Sequence, residues 1–336
     1  MIVLNGDTGI TTPTYGGTDT SEYLVPVTAF KNRLINGNMS VWQRGTSFSL
    51  SAGQTYTADR WITVISGSGS TSTLSQQAAT PSDFASLEMQ VPQFFTRYAV
   101  TVAGSVTYRD FAQRIEDVRT FAGQNATISF YAKAASSMTV GVQLYQGFGS
   151  GGSPDNSTTP VNVTIGTTWQ RYTVTIACPS ISGKTIGAGS MVAAVLIMPN
   201  TTFTFDVTMI QAEYGSTATS FDYRPYGTEL ALCQRYYQLK DGFQPIGSST
   251  TLVEGGISYT EMRANPTIGQ TAVFQIGYPG VADYNQSSIG ITITASRVST
   301  TGLMYMLSNF SGLTQGRAYC QNAGVNNAKI TLSAEL

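Results

Sequence analysis

The chain has 336 residues, 41% of them hydrophobic, and only 11% are Asp, Glu, Lys or Arg, against roughly 25% in a typical soluble protein. A net charge of −1 leaves no electrostatic footprint for nucleic acid or for an acidic membrane surface. Histidine is absent, which removes the commonest general base, the commonest zinc ligand and every Ser–His or Cys–His nucleophile pair.

In chain order, residues 1–30 come first. The stretch "GDTGITTPTYGGTDTSEYLVP" is rich in turn formers and has little apolar periodicity, so it cannot build a core by itself. It reads as an extended N-terminal arm that becomes ordered against a partner or a neighbouring subunit. The opening residues lack a basic region followed by a long apolar one, so no secretion signal is expected. Then come "INGNMSVWQRG" at 35–45 and "YTADRW" at 56–61. Asn36-Gly37 is a turn dipeptide, Trp42 and Trp61 are large plates suited to a core, and Asp59 can pair with Arg60 or Arg44.

Period-two alternation dominates the middle of the chain. "ATISFYAKA" puts Ile128, Phe130 and Ala132 on one face, "TVGVQLY" puts Val140, Val142 and Leu144, and "RYTVTI" puts Tyr172, Val174 and Ile176. "FTFDVTM" does the same with Phe203, Phe205, Val207 and Met209. Each predicts a half-buried strand. One helical turn is expected around Glu116–Phe121, ended by Gly123, and "GFGSGGSPDNSTTP" at 147–160 predicts a long flexible loop. "SGKT" at 182–185 lacks the earlier glycine of a phosphate-binding loop and predicts a β-turn. The longest apolar run, "MVAAVLIM" at 191–198, is too short to span a bilayer, so no membrane insertion is expected.

Pro225 and Gly227 break the strand series, and Glu229–Gln238 opens a new element with Leu230, Leu232, Cys233, Tyr236 and Tyr237. Beyond it, "SIGITITAS", "GLMYMLS" and "AKITLSAEL" predict strands, the last reaching residue 336. The fold class is therefore all-β, with residues 229–336 forming a second, smaller β domain of ordinary size.

Few residues suggest chemistry. Asp110, Glu116 and Asp117 are interleaved with Arg109, Arg114 and Arg119, which predicts a charge-balanced patch in place of the paired carboxylates that glycan cleavage needs. Cys178, Cys233 and Cys320 match no metal-ligand spacing, and an odd number cannot all pair internally, so reduced buried thiols are expected. No catalytic residue, metal site or cofactor is expected. Eighteen Tyr stand against five Lys, a ratio that suits sugar faces and interfaces. The loop aromatics Tyr145 and Phe148, together with Tyr278, Tyr284 and Asn285 in "YPGVADYNQSS", are the candidate carbohydrate-binding residues. The core-poor arm, the low charge and the surplus of Tyr and Arg suit large intersubunit surfaces, and a homotrimer is the expected assembly.

"RLINGNMSVWQRGTSF" followed by "YTADRW" resembles the start of a domain of bacteriophage tail and fibre proteins. "QRIEDVRTFAGQNATISFYAKA", "WQRYTVTIACPS" and "FTFDVTMIQAEYGSTATSFDYRPYGTELALCQRYYQ" extend the resemblance, and "LNGDTGITTPTYGG" is similar to the N-terminal arms of phage tail proteins. The resemblance implies an arm at 1–30 that attaches to other virion proteins, a carbohydrate-binding-module-like jelly-roll β-sandwich at 31–228, and a C-terminal tip at 229–336, which the strand pattern makes a second, smaller β-sandwich. It implies a virion location and a non-catalytic fibre contacting host cell-surface polysaccharide. A structural head or tail decoration protein without glycan affinity, and a glycan depolymerase, are the alternatives.

Overall fold

The computed structural model describes residues 3–5, 9–11, 30–85, 87, 90–241, 246–247, 249, 253–271, 275–277, 285–287, 293–307, 320–321 and 329–336. Near the start, β1 (Val3–Asn5) pairs antiparallel with β2 (Gly9–Thr11). The strands of the sandwich follow: β3 (Ser47–Leu50), β4 (Gly53–Tyr56), β5 (Trp61–Ser68), β6 (Thr71–Ala78), β7 (Phe94–Val102), β8 (Ser105–Glu116), β9 (Asn125–Ala134) and β10 (Met138–Gly147). After them come β11 (Asn156–Ser157), β12 (Val161–Ile165), β13 (Gln170–Ala177), β14 (Met191–Ile197) and β15 (Phe203–Tyr214).

They form two antiparallel sheets. One is six-stranded in the order β13-β9-β15-β7-β6-β3; the other is seven-stranded in the order β11-β10-β14-β8-β5-β4, with β12 also on β10. From β8 onward the chain crosses repeatedly between them, which is a jelly-roll connection. Alternation in the sequence is alternation across the sheet, so the expected inner faces meet in one core. Ile128, Phe130, Ala132, Val140, Val142, Leu144, Val174, Ile176, Phe203, Phe205 and Val207 are all buried there. Trp61 is also buried and stacks on Phe111 with ring centroids 4.7 Å apart, whereas Trp42 is half-buried against Phe48.

Three local expectations need correction. The pattern of β15 changes at Met209, because a bulge between Thr208 and Gln211 shifts the register and hands the inner face to Ile210 and Ala212. The turn after Glu116 is not helical. Asp117 and Phe121 have φ of 69° and 64°, and separate turns close through Thr120 N–H to Asp117 O, Ala122 N–H to Arg119 O and Gln124 N–H to Phe121 O. The Gly-rich loop is pinned to its neighbour: Ser150 N–H donates to Ala188 O at 2.9 Å, Gly187 N–H to Phe148 O at 2.7 Å and Ser153 N–H to Thr185 O at 2.9 Å. "SGKT" is a turn as expected, closed by Lys184 N–H to Ile181 O at 3.0 Å.

Residues 30–46 contain no strand, so their buried backbone groups need side-chain partners. Asn32 accepts the N–H groups of Leu34 and Ala212 at 3.0 Å and donates to Ile210 O at 3.0 Å. Gln113 accepts from Ile35 N–H at 2.6 Å and donates back to Ile35 O at 2.7 Å. Asn36, at φ 56°, donates to Val41 O and Asp59 O and accepts from Val41 N–H. Gly37 follows for a different reason: its N–H partner is not the issue, but a Cβ there would collide with the carbonyl oxygen of Ile210 on the bulge. The Asn-Gly turn is thus a plug seated on β15.

The break at Pro225 leads into α1 (Tyr226–Gln234). Glu229, on its first turn, is buried, accepts the N–H of Asn36 and lies 3.3 Å from Arg224. Arg224 also donates to Leu34 O at 3.0 Å and to Asn32 O. Beyond the helix, β16 (Tyr237–Lys240), β17 (Ile246–Gly247), β18 (Val253–Ser258), β19 (Thr267–Gln270), β20 (Gln275–Gly277), β21 (Asn285–Ser287), β22 (Ile293–Val298), β23 (Gly302–Leu307), β24 (Cys320–Gln321) and β25 (Ile330–Ser333) form three small antiparallel sheets among the described residues. The final strand stops at Ser333, short of the expected end. Residues 334–336 instead turn onto the jelly roll, with Glu335 paired to both Arg44 (2.9 Å) and Arg60.

Asp59 chooses Arg44, at 4.0 Å, and accepts Gln43 N–H at 2.8 Å. Cys178 and Cys233 are free and buried, and burial pushes both thiols upward, Cys178 to about 11. The side chain of Cys320 lies outside the described residues.

Candidate functional site

A two-sheet sandwich has two outer faces, and these differ here. That of the six-stranded sheet is covered by its own chain. Phe84, Phe95 and Trp169 form a buried cluster on it, with Tyr131 packed alongside. Residues 215–220 lie across β9 and β13, where Thr127 donates to Gly215 O at 2.8 Å, Thr175 to Ser216 O at 3.2 Å and Arg171 to Thr219 O.

The outer face of the seven-stranded sheet carries a groove of about 430 Å³, within the range of small-ligand sites. Its floor comes from outward positions of three adjacent strands: Ile62 and Val64 on β5, Ala112 on β8, and Ala193 and Val195 on β14. Polar side chains line the rest. Gln54, Ser66 and Ser157 are exposed, Tyr108, Arg114 and Tyr145 are half-buried, and Asp110 and Gln143 are buried. Apolar floor and polar walls can hold a ligand whose faces are apolar and whose edges carry hydroxyls.

Asp110 is the carboxylate of the groove. One oxygen accepts the N–H of Val64 at 2.7 Å, the other accepts the hydroxyl of Tyr108 at 2.9 Å, and among the described residues it forms no ion pair. Burial pushes its carboxyl up to about 6, against the pull of those hydrogen bonds and of Arg114. Arg114 is engaged elsewhere, donating to Leu336 O and, at 3.0 Å, to Gln54 Oε1. Tyr56 also donates to Leu336 O, at 2.8 Å, so residue 336 stands beside the Gln54–Arg114 end of the groove. The side-chain amide of Gln143 has no hydrogen-bond partner among the described residues.

The expected charge-balanced patch is therefore dispersed. Glu116 pairs with Arg235 at 3.1 Å, Asp117 with Arg119 at 3.1 Å, and Arg109 turns into the protein to donate to Ala103 O at 3.0 Å. Alternation along β8 sends neighbouring charges to opposite faces, which leaves Asp110 in the groove.

Of the candidate carbohydrate-binding residues, Tyr145 lies in the groove, its hydroxyl donating to Asp155. Phe148 does not offer a contact face: it is 1% exposed, held by Phe148 N–H to Asp155 at 2.9 Å and by its carbonyl to Gly187. The ordered loop folds over its ring, which corrects the expectation drawn from loop composition. Tyr278 and Tyr284 lie outside the described residues, as does the side chain of Asn285, whose backbone belongs to β21. Gln143, Tyr108 and Asp110 were not singled out as ligand contacts by sequence. One signal was available, because "MVAAVLIM" is apolar at every position, and a strand apolar on both faces must cover something on each. Its outer residues Ala193 and Val195 form part of the floor.

Two other hollows offer less. One of about 610 Å³, between β18, β22 and β23, has no charged or aromatic side chain among its described lining residues. Another of about 520 Å³ is lined by Glu116, Asp117 and Arg119, whose charges are already paired. Among the described residues no group of His, Cys, Asp and Glu is arranged to hold a metal, and no helix is long and apolar enough to cross a membrane.

No protein-family profile matches the sequence, and no curated protein matches it. Among solved structures, the chain is similar to the enzymatically active domain of tailspike protein 4 from bacteriophage CBA120, with 16% identity and a TM-score of 0.34 over 55% of this chain and 22% of that one. It is similar to the family 11 carbohydrate-binding module from Clostridium thermocellum, with 12% identity and a TM-score of 0.32 over 51% and 100% of the two chains. It is also similar to the N-terminal CBM22-1-CBM22-2 tandem domain from Paenibacillus barcinonensis Xyn10C, with 9% identity and a TM-score of 0.30 over 86% and 97%.

Proposed function

We propose that this chain is a phage virion fibre protein that holds host-surface glycan, without cleaving it, in the groove of the seven-stranded sheet. The observation that carries the binding part is the groove itself. It combines an aliphatic floor with a Gln143 amide that has no partner among the described residues and with acceptor oxygens on Asp110, Tyr108 and Tyr145. Sugar rings present apolar faces to such a floor and hydroxyl donors to such acceptors. The fibre assignment, the attachment of residues 1–30 to other virion proteins and the homotrimer rest on the sequence resemblance and composition. Several copies on one particle would compensate a weak single site through avidity.

A depolymerase reading draws on Asp110, whose raised carboxyl has the character of a general acid. Glycoside cleavage needs a second carboxylate across the bond, and among the described lining residues of the groove Asp110 is the one carboxylate. Binding without cleavage is the better fit.

The test is electrophoresis of the purified full chain through gels cast with polysaccharides extracted from bacterial surfaces, alongside an assay for released reducing ends. Retardation without reducing ends is the expected result. Reducing ends would establish the depolymerase, and absence of retardation in every gel would remove the binding role. Antibody labelling of intact particles should mark a fibre, and light scattering should give a trimer; label on the head, or a monomeric mass, would overturn those parts.

A further inference from the structure

The groove holds one carboxylate, Asp110, and one guanidinium, Arg114, four positions further along β8, and among the described residues the two form no ion pair. Asp110 receives one hydrogen bond on each oxygen, from Val64 N–H on β5 and from the Tyr108 hydroxyl on its own strand. Neither donor is a cation. The ionisable groups around it are Tyr108 and Arg114 on β8 and Tyr145 on β10, and each is committed: Tyr108 to Asp110, Arg114 to Leu336 O and Gln54, Tyr145 to Asp155. The floor beneath is aliphatic, so charges meeting above it interact in a medium far less polarisable than water.

We propose that Asp110 makes this groove selective for uncharged glycan segments and excludes chains bearing carboxylates, such as those built on uronate or sialate. The inference rests on the groove reading given above and adds to it the class of ligand. A neutral sugar brings hydroxyl donors to the remaining lone pairs of Asp110 and to the Gln143 amide. A sugar carboxylate entering beside Asp110 meets a like charge at close range, while the guanidinium of Arg114, four positions further along β8, is held toward Leu336 O and Gln54 Oε1. Two like charges about 7 Å apart at an effective dielectric near 20 weaken binding by about tenfold or more. Charge exclusion of this kind gives specificity without any new contact.

The experiment uses a matched pair made from whichever neutral polysaccharide retards the full chain. Part of that polymer is oxidised selectively at its primary hydroxyls, which become carboxylates while the backbone is kept. At pH 8 and low salt, the oxidised polymer should bind about tenfold or more weaker than the parent. Raising the salt should narrow that gap, because screening weakens repulsion, while binding of the parent stays constant. Asp110→Asn removes an acceptor and should weaken binding of the parent several-fold, yet it should shrink the parent-to-oxidised ratio from about tenfold or more to about threefold or less. Equal binding of both polymers by wild type would overturn the proposal, as would an Asp110→Asn variant that folds and keeps the wild-type ratio of parent to oxidised binding. If that variant does not fold, the salt series on wild type decides alone, and a gap unmoved by salt counts against the proposal. Failure of the groove reading looks different: parent binding would survive Gln143→Ala unchanged, or no neutral polymer would bind, and in either case this proposal falls with it.

Discussion

The guanidinium of Arg60 lies 3.4 Å from the ring centroid of Tyr236 and is ion-paired to Glu335. Next to it, Arg44 sits 3.6 Å from the ring centroid of Tyr237 and 2.9 Å from the same carboxylate. Arg60 comes from "YTADRW", the two tyrosines from "CQRYYQ", and Glu335 from the last residues of the sequence. The tryptophan- and arginine-rich stretches near the start are therefore a cradle. They seat α1, the Tyr-Tyr pair and residues 334–336 on the jelly roll, and their chemistry is spent on structure.

Arg60→Ala is expected to cost about 3 kcal/mol or more, because Arg60 is buried and its removal leaves Glu335 with one partner in place of two. Urea denaturation of the full chain measures this. In a double-mutant cycle, Arg60→Ala with Glu335→Ala should cost less than the sum of the single changes.

Gly37→Ala should destabilise by about 1–3 kcal/mol, the usual cost of forcing atoms into a packed core. The added methyl would meet the carbonyl oxygen of Ile210, which already accepts from Asn32. Gly123→Ala is the control: its Cβ meets nothing, and its cost comes from the left-handed backbone (φ 71°) alone. Thermal melts of the two variants should separate a steric cost from a conformational one.

Much of this was legible in the sequence, for physical reasons. Period-two alternation reports which side of a sheet faces the core, so the inner residues of β9, β10, β13 and the first half of β15 are where the pattern puts them. It carries no information about what covers the outer side. The groove collects residues from β4, β5, β8, β10, β11 and β14, far apart in sequence, and no local spacing marks them. Composition misled at 147–160, where glycines predicted flexibility and instead allow the loop to bridge to 185–188. Asp110 was misread for a related reason: adjacent charges in a sequence look balanced, yet on a strand they point apart.

Asp110 gives a pH signature of known sign. Its folded-state carboxyl is raised to about 6, while an unfolded Asp titrates near ~3.9. The fold therefore binds this proton more tightly, and the stability so gained is full below about pH 4 and lost as pH rises through about 6. Asp110→Asn lacks that dependence. Relative to wild type it should gain up to about 3 kcal/mol between pH 4 and pH 7, at roughly 1.4 kcal/mol per tenfold change in protonation constant. Denaturation midpoints of both proteins across that range check it, and other carboxylates cancel in the difference.

Cys178 and Cys233 should resist alkylation in the native protein at pH 8. Both are buried, and burial pushes both thiols above their usual range, so little thiolate is present to react. Iodoacetamide labelling followed by peptide mass analysis should find both unmodified until denaturant is added. Rapid native labelling of Cys233 would show that the cradle opens.

The claim that the groove is the glycan site is tested most directly by setting two variants side by side. Gln143→Ala with Tyr145→Ala alters the groove; Tyr278→Ala with Tyr284→Ala alters the loop singled out by sequence. Adsorption of the purified proteins to cells of a strain that binds wild type is measured for each, with thermal melts confirming that both remain folded. The account predicts at least a tenfold loss of adsorption for the groove variant, of the order expected when an anchoring side chain is truncated, and near-normal adsorption for the loop variant. Normal adsorption by a folded groove variant, with loss in the loop variant, would contradict it and move recognition to residues 278–284.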